Sequence, residues 1–432
     1  METHLADWLK DSPDGLEAES ILRKCVHCGF CTATCPTYQL LGDENNGPRG
    51  RIYLIKQVLE GVEPSLATQG NLDRCLTCRN CESTCPSGVQ YGRLVDIGRK
   101  LVDEKVQRPI GQTLIRTALR EGLTRRWLFD PAMALGKLVR PMLPASIQAK
   151  VPEKRASGDW PTRSHPRKVL MLNGCVQPAM MPTIDAATAR VLDALGIQAI
   201  IEQSSACCGA IRQHLNDHTG AHADIKRNID AWWPYIETSN KGAGITGEVE
   251  AIVINASGCG AMVHEYGYIL RDDAQYAAKA AKVSALTKDL IQYLAPLTRE
   301  IKQLVDHAQN AKTAKPGSTK AAFHPPCTLQ HGLQIKGEVE KLLITLGVEL
   351  SFVSDSHLCC GSAGTYSVTQ PVLSKQLREN KLSALQANQP DVILSANIGC
   401  ITHLQAGTQT PLRHWIEWLD ERIGSDSGSR PN

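Results

Sequence analysis

The sequence predicts an α+β multidomain protein: a helical amino-terminal domain, then two duplicated α/β domains built on small parallel sheets. Two cysteine patterns and one hydropathy pattern predict it. Eight cysteines form two runs near the amino terminus, Cys25, Cys28, Cys31 and Cys35 before Pro36, and Cys75, Cys78, Cys81 and Cys85 before Pro86. The other eight of the 16 cysteines form a second duplicated pattern in the carboxy-terminal half. From Lys168 onward, short apolar runs alternate with longer helical segments, as in a parallel sheet covered by helices.

At 432 residues, with 42% hydrophobic and 21% charged residues, the chain is long enough for several domains with sizeable cores. A net charge of +3 gives no reason to expect nucleic acid as a partner. Met1 to Lys24 carries acids and bases throughout, without the apolar core of a secretory signal. No stretch reaches the roughly 18 consecutive apolar residues of a membrane-spanning helix. Cysteines in a reducing, cytoplasmic setting favour metal ligation over disulfides.

Residues 1–104 hold both cysteine runs, separated by a predicted helix, Arg49 to Gly61. Residues 105–166 read as a helical, basic connector and linker: Lys105 to Lys150 has nine lysines or arginines against two acids, Glu121 and Asp130. Pro144 to Pro166 reads as exposed linker. The first duplicated domain spans 167–310 and the second 320–423, with a linker over Lys312 to Lys320 and a disordered tail over 424–432. Predicted strands are Val169 to Leu172, Ala199 to Ile201, Ala251 to Ile254, Leu350 to Val353 and Val392 to Leu394.

The duplication is explicit. Cys175 is followed 32 residues later by Cys207-Cys208-Gly209 and then Cys259; Cys327 is followed 32 residues later by Cys359-Cys360-Gly361 and then Cys400. In both copies the segment before the pair ends alike, Leu192-Asp-Ala-Leu-Gly-Ile197 and Leu343-Ile-Thr-Leu-Gly-Val348. A Gly-rich insertion around Lys241 to Glu250 accounts for most of the length difference between copies. The cysteines follow predicted strands, so three loops at one sheet edge can converge where open α/β folds place ligands.

Each amino-terminal run reads C-x2-C-x2-C-x3-C-P, the ferredoxin spacing that holds 4Fe-4S clusters. Three closely spaced cysteines wrap three corners of a cube, and the one before proline ligates the other cluster. Cys25, Cys28, Cys31 and Cys85 are thus assigned to one cluster, and Cys75, Cys78, Cys81 and Cys35 to a second. Structural zinc is the alternative, but zinc sites usually pair C-x2-C knuckles without a third cysteine or a trailing C-P.

Cys175, Cys207, Cys208, Cys259, Cys327, Cys359, Cys360 and Cys400 are candidates for a further cluster, another metal or a redox role. Buried thiols packing as small hydrophobes and a strained vicinal dithiol are the alternatives. Arg49 and Arg51 either tune a cluster or cap a helix. His324 and His331 flank Cys327 as ligands, as donors to sulfur, or, the favoured reading, as satisfied polar groups. Trp232, Trp233, Trp415 and Trp418 read as core. The basic connector is a solvated face or a docking surface for a partner or an anionic membrane. No dinucleotide fingerprint, P-loop or substrate site with a paired acid and histidine is visible. Oxidation of an alcohol removes two electrons together, usually to flavin or nicotinamide, so the substrate chemistry falls to a partner or to the carboxy-terminal centres.

The stretches Cys25-Val-His-Cys-Gly-Phe-Cys-Thr-Ala-Thr-Cys-Pro-Thr-Tyr38, Gly47-Pro-Arg-Gly-Arg-Ile-Tyr-Leu-Ile-Lys56 and Cys75-Leu-Thr-Cys-Arg-Asn-Cys-Glu-Ser-Thr-Cys-Pro86 resemble the iron–sulfur subunits of glycolate oxidase. The likeness spans nearly the whole chain, because the two Cys-Cys-Gly domains also belong to that family. Similar chains occur as iron–sulfur subunits of anaerobic glycerol-3-phosphate dehydrogenase, as lactate-utilisation proteins and in heterodisulfide reductase. The resemblance implies an electron-transfer subunit that takes electrons from a partner FAD-binding subunit oxidising glycolate to glyoxylate. A second flavoprotein-like subunit, transfer to quinone or another acceptor, and a peripheral position on the cytoplasmic face of the inner membrane are implied with it; FAD is not expected on this chain. In heterodisulfide reductase, Cys-Cys-Gly domains close with C-x-x-C. Here Cys259 is followed by Gly-Ala-Met262 and Cys400 by Ile-Thr-His403, which weighs against disulfide reduction. Lactate or glycerol-3-phosphate dehydrogenase subunits, a thiol/disulfide enzyme and a structural module that docks a flavoprotein are the alternatives.

Overall fold

The computed structural model describes residues 1–144, 148, 151–237, 249–311 and 319–424. Most of the Gly-rich insertion, the linker between the copies and the tail beyond Gly424 lie outside these residues, as does part of the Pro144 to Pro166 segment.

The amino-terminal region is helical. Ser12 caps the helix Pro13–Lys24 through Gly15 N–H, and the chain leaves it directly into Cys25. The expected middle helix is Pro48–Leu59, with proline at its first position, where the missing N–H costs nothing. It packs with Leu66–Asp73 and Tyr91–Lys105 around a core of Ile21, Leu22, Ile55, Leu59, Leu94 and Val95. That core holds the two cysteine runs side by side.

The connector forms the helices Ile110–Thr124 and Arg126–Val139. Its basic groups turn inward: Arg108 pairs with Asp73 and Asp103, Arg125 with Glu121 at 2.5 Å, and Arg126 reaches Asn173 at 2.7 Å. Lys137 donates to the carbonyls of Ala179 and Met180. Among its exposed residues the connector presents an apolar set, Ile110, Leu114, Trp127, Leu138 and Met142.

Two four-stranded, wholly parallel sheets follow. The first contains β1 (Arg167–Met171), β2 (Ile197–Ile201), β3 (Ala251–Ile254) and β4 (Thr287–Asp289), in the order β2-β1-β3-β4. The second repeats that order with β5 (Lys320–His324), β6 (Glu349–Leu350), β7 (Val392–Ser395) and β8 (Leu412–His414). The expected strand Leu350 to Val353 shrinks to two paired residues, and Phe352 turns outward at 81% exposure. The edge strands β4 and β8 were not expected, since each is three residues and carries polar side chains. Nor was β5, whose first residue the sequence reading placed in a linker.

In each sheet the chain runs from the second strand to one edge, then crosses back to the other side. The reversal lies between β1 and β3, and between β5 and β7. Open parallel sheets hold ligands beyond the carboxyl ends of strands at such a switch point. Cys175 and Cys259 flank one reversal, Cys327 and Cys400 the other.

The two repeats share one core. Val169, Leu290 and Ile301 of the first are continuous with Phe323, Leu394 and Trp415 of the second. The helices Pro182–Ala194 and Trp415–Ile423 cross here, tied by Arg190 to Asp420 at 2.6 Å and Thr183 to Glu417 at 2.6 Å. Trp232, Trp415 and Trp418 are buried as expected, while Trp233 is only half-buried.

Candidate metal centres

The two amino-terminal loops are conformational copies. His27 and Gly29 flank Cys28 with φ of 55° and 83°, and Thr77 and Arg79 flank Cys78 with φ of 51° and 57°. Non-glycine residues adopt this left-handed geometry rarely. Repeated at the same two places, it marks a loop wound around something. Thr77 N–H points at the Cys75 sulfur at 3.4 Å, and the buried Tyr91 hydroxyl lies 3.7 Å from it.

Cys25, Cys28, Cys31 and Cys85 line one cavity together with Cys81, Arg49 and Tyr91. Burial pushes the Cys31 thiol up to about 11, with further increments from Cys25, Cys28 and Cys85. Burial likewise raises Cys81, with Cys78, Cys75 and Cys35 adding to it. All sixteen cysteines are free thiols. Thiols converging on one cavity fit the all-cysteine donor set of a 4Fe-4S cluster.

The two arginines separate. Arg49 is half-exposed and paired with Glu44 at 2.6 Å. Arg51 is 1% exposed, donating to the Asn71 carbonyl and to Thr37, whose hydroxyl lies 3.3 Å from the Cys35 sulfur. Burial penalises its charge, yet Tyr91, Cys75 and Cys35 raise its pKa above the ordinary arginine value. Arg51 is a fixed cation beside the second set of thiols, and Arg49, held by Glu44, lines the cavity of the first.

Each carboxy-terminal repeat brings its four cysteines together. Cys175, Cys207, Cys208 and Cys259 lie beside one another in series, and so do Cys327, Cys359, Cys360 and Cys400. The Cys327 and Cys359 sulfurs are 3.9 Å apart. The glycine after each pair has φ of +91° (Gly209) or +87° (Gly361), and its N–H turns back toward the first sulfur of the pair at 3.5 and 3.4 Å. Eight cysteines scattered along the chain thus form two matching clusters, which simple packing of small hydrophobes does not require.

The centres adjoin one another. Cys78 and Cys327 both pack against the hydrophobic group that contains Cys359, and Cys327 contributes to the raised pKa of Cys78, after burial. Asn80 donates to the His357 carbonyl at 3.3 Å, and Ser83 meets His331 Nδ1 at 2.8 Å. The repeats also touch beside their cysteines: Ser257 meets Thr328 at 2.7 Å, and Gly258 N–H donates to Asn397, whose amide lies 3.6 Å from the Cys400 sulfur. Asn80, Asn397, Tyr91, Thr37 and Lys381 belong to these contacts, and no motif in the sequence pointed to them. Lys381 is buried against Cys359 and Cys360, donating to the Asp355 carbonyl at 2.6 Å.

Residues 21–89 match the family described as a 4Fe-4S dicluster domain, and residues 169–264 and 321–405 match that described as a cysteine-rich domain. Over 98% of its length the chain is 51% identical to the glycolate oxidase iron–sulfur subunit of Escherichia coli (strain K12), covering 99% of that protein. The chain belongs to the glycolate oxidase iron–sulfur subunit family. It is 29% identical to a probable glycolate oxidase iron–sulfur subunit of Bacillus subtilis (strain 168), over 90% of both chains. Lactate utilization protein A of Bacillus velezensis is 26% identical over 55% of this chain and 90% of that protein. This subunit accordingly carries a dicluster 4Fe-4S domain ahead of two cysteine-rich repeats. None of its described helices is long and apolar enough to cross a membrane.

Proposed function

We propose that this chain passes electrons from a partner FAD-binding subunit, which oxidises glycolate to glyoxylate, to quinone or another acceptor. Each turnover releases two electrons and two protons from the hydroxy acid to the flavin, and iron–sulfur centres carry the electrons onward one at a time. The observation that carries this reading is the adjacency of Cys78 to Cys327 and Cys359, which pack around one hydrophobic group and bring the dicluster domain against the second repeat.

Cys25, Cys28, Cys31 and Cys85 would hold the first 4Fe-4S cluster, and Cys75, Cys78, Cys81 and Cys35 the second. The first has an exposed rim: Cys28 is at the surface, beside Val26 and Phe30 at 69% and 61% exposure. This rim suits electron entry from a docked flavoprotein. The second is interior and faces the second repeat. Each repeat would add one metal or iron–sulfur centre through its four cysteines. The chain's own part is to hold the thiolates, point N–H groups at sulfur and exclude water.

A cavity of about 650 Å³ has Cys78, Arg79 and Thr328 in its wall together with His214, His218 and His222. Quinone reduction takes up two electrons and two protons, and those histidines would handle the protons beside a cluster ligand. The outward apolar ridge of the connector supports peripheral attachment at the cytoplasmic face of the inner membrane. With its cations paired internally, such attachment would rest on apolar contact and survive high salt.

Anaerobic purification with the flavoprotein subunit tests the core of this reading. Two clusters give about eight irons per chain and four give about sixteen. Glycolate should elicit 4Fe-4S EPR signals in the complex. A colourless, zinc-loaded protein, or flavin reduction that never reaches iron, would overturn it. A disulfide-reductase reading finds no second closing cysteine, since Met262 and His403 stand at those positions.

A further inference from the structure

His324 ends β5, three residues before Cys327. It is 1% exposed, and neither ring nitrogen has a hydrogen-bond partner. A buried imidazole without partners forfeits about 1–3 kcal/mol per orphaned group, so it ordinarily has one. His331, four residues beyond Cys327, shows the ordinary case: it meets Ser83 at 2.8 Å and the His357 carbonyl at 2.9 Å. What faces His324 is sulfur. Its ring nitrogen and the sulfurs of Cys360 and Cys400 all lie within 4.8 Å of one another, and all three residues are buried. That spacing is compatible with three donors on one metal atom, since ligands at about 2.0–2.3 Å in tetrahedral geometry sit roughly 3.3–3.8 Å apart.

We infer that His324 is a nitrogen ligand of the second repeat's centre, binding the same metal atom as Cys360 and Cys400. Imidazole and thiolate together select a borderline-soft transition metal, iron or zinc. The first repeat has no counterpart, because Leu172 stands three residues before Cys175. The fold thus does not require histidine there, and the two repeats hold chemically different sites. The inference rests on the reading that the second repeat carries a metal.

The test compares metal content and spectra of the full chain, purified anaerobically as wild type, Cys400→Ser and His324→Leu, the last copying the first repeat. If the metal is iron, pulsed EPR of the reduced protein shows a nitrogen coupling that changes on ¹⁵N-histidine labelling and vanishes in His324→Leu. If it is zinc, the zinc edge shows a light scatterer at about 2.0–2.1 Å, absent in His324→Leu. The amino-terminal cluster signals remain in both variants. Loss of metal in Cys400→Ser with content and spectrum unchanged in His324→Leu would overturn the histidine ligand alone. No loss in either variant would remove the site, and with it the reading that this repeat carries a centre.

Discussion

The two cysteine-rich repeats share a strand order, a cysteine series and a left-handed glycine, yet their surroundings differ. The second repeat touches Cys78 through Cys327 and Cys359, has Lys381 buried against its paired cysteines and places His324 beside them. The first repeat meets the second through Gly258 and Asn397, has Leu172 in place of the histidine, and Asp224 acts on Cys175. Duplication conserved the scaffold that gathers four sulfurs. Position against the amino-terminal domain and the sign of nearby charge then set the copies apart. On the reading that each repeat holds a redox centre, a cation beside the centre would favour its reduced, more negative state, and Lys381 would make the second repeat the better electron acceptor.

The largest effect should come from Cys78, the residue between the dicluster domain and the second repeat. In Cys78→Ser, dye reduction by the assembled complex should fall at least ~100-fold, because altering even the support of a metal ligand costs roughly 10–100-fold. Glycolate should still bleach the flavin. Undiminished acceptor reduction would reject the series of centres. The repeats themselves are compared by Cys359→Ser and Cys207→Ser. We expect a loss of about tenfold or more from the first and less than about twofold from the second, on the same ligand-support scale. Equal losses would mean that both repeats lie on the route.

The arrangement of sulfurs was legible because cluster ligands obey local spacing. C-x2-C-x2-C-x3-C-P fixes which thiols share a loop, and its repetition suggests the interleaving of Cys85 with Cys25 and of Cys35 with Cys75. The duplicated sheets were legible from apolar runs, except where strands are too short or polar to show a period, as in β4 and β8. The contact between Cys78 and Cys327 was not legible, since packing of distant surfaces sets it. Nor did the sequence distinguish His324 from His331. The favoured reading gave both a satisfied polar role, and only His331 has one, because Ser83 and His357 arrive from other elements. The connector's basic composition suggested an open cationic face, but among the described residues its charges pair with acids within the connector, such as Glu121 and Asp130, and elsewhere in the chain, such as Asp73 and Asp103.

Arg51 sharpens the contrast between the amino-terminal clusters. Its guanidinium reaches Cys35 through Thr37, over contacts of 3.2 and 3.3 Å, a separation of at most roughly 6 Å. At an effective dielectric constant of ~20 one charge there is worth about 3 kcal/mol, on the order of 100 mV for a single electron. Arg51→Gln should lower the potential of the second cluster by that amount, while Arg49→Gln, at an exposed position, moves the first far less. Potentiometric EPR reads both. Next in size is the glycine pair. A Cβ on Gly361 would lie 2.6 Å from the Ser374 carbonyl oxygen and 2.8 Å from Leu377, whereas one on Gly209 meets nothing closer than 3.3 Å. Both variants suffer the left-handed strain of about 1–3 kcal/mol, and Gly361→Ala adds overpacking of about the same size. Its thermal midpoint should fall well below that of Gly209→Ala.

The final contrast lies at the edge strands, where each repeat ends in a capping residue of opposite kind. Asp289, the last residue of β4, caps the helix Leu290–Leu294 by accepting from Ile291 N–H at 3.0 Å, and His414, the last residue of β8, caps Trp415–Ile423 by accepting from Ile416 N–H at 3.2 Å. Burial pushes Asp289 up to about 7 and pushes His414 down to about 3. The raised acid binds a proton more readily in the folded chain, so its contribution is complete below about pH 4 and is lost as pH rises toward 7. The depressed histidine does the reverse, contributing above about pH 6.5 and losing that contribution as pH falls toward 3. Between about pH 4 and 6.5 the two slopes oppose each other, each at most about 1.4 kcal/mol per pH unit. Asp289→Asn keeps the cap and removes one slope, so its stability relative to the parent should rise with pH across that window and level off above 7. Denaturant midpoints of parent and variant at matched pH read the difference and cancel any acid lability of the clusters. A difference flat from pH 4 to 7 would mean that Asp289 stays ionised in the fold, and the two caps would then be alike in effect.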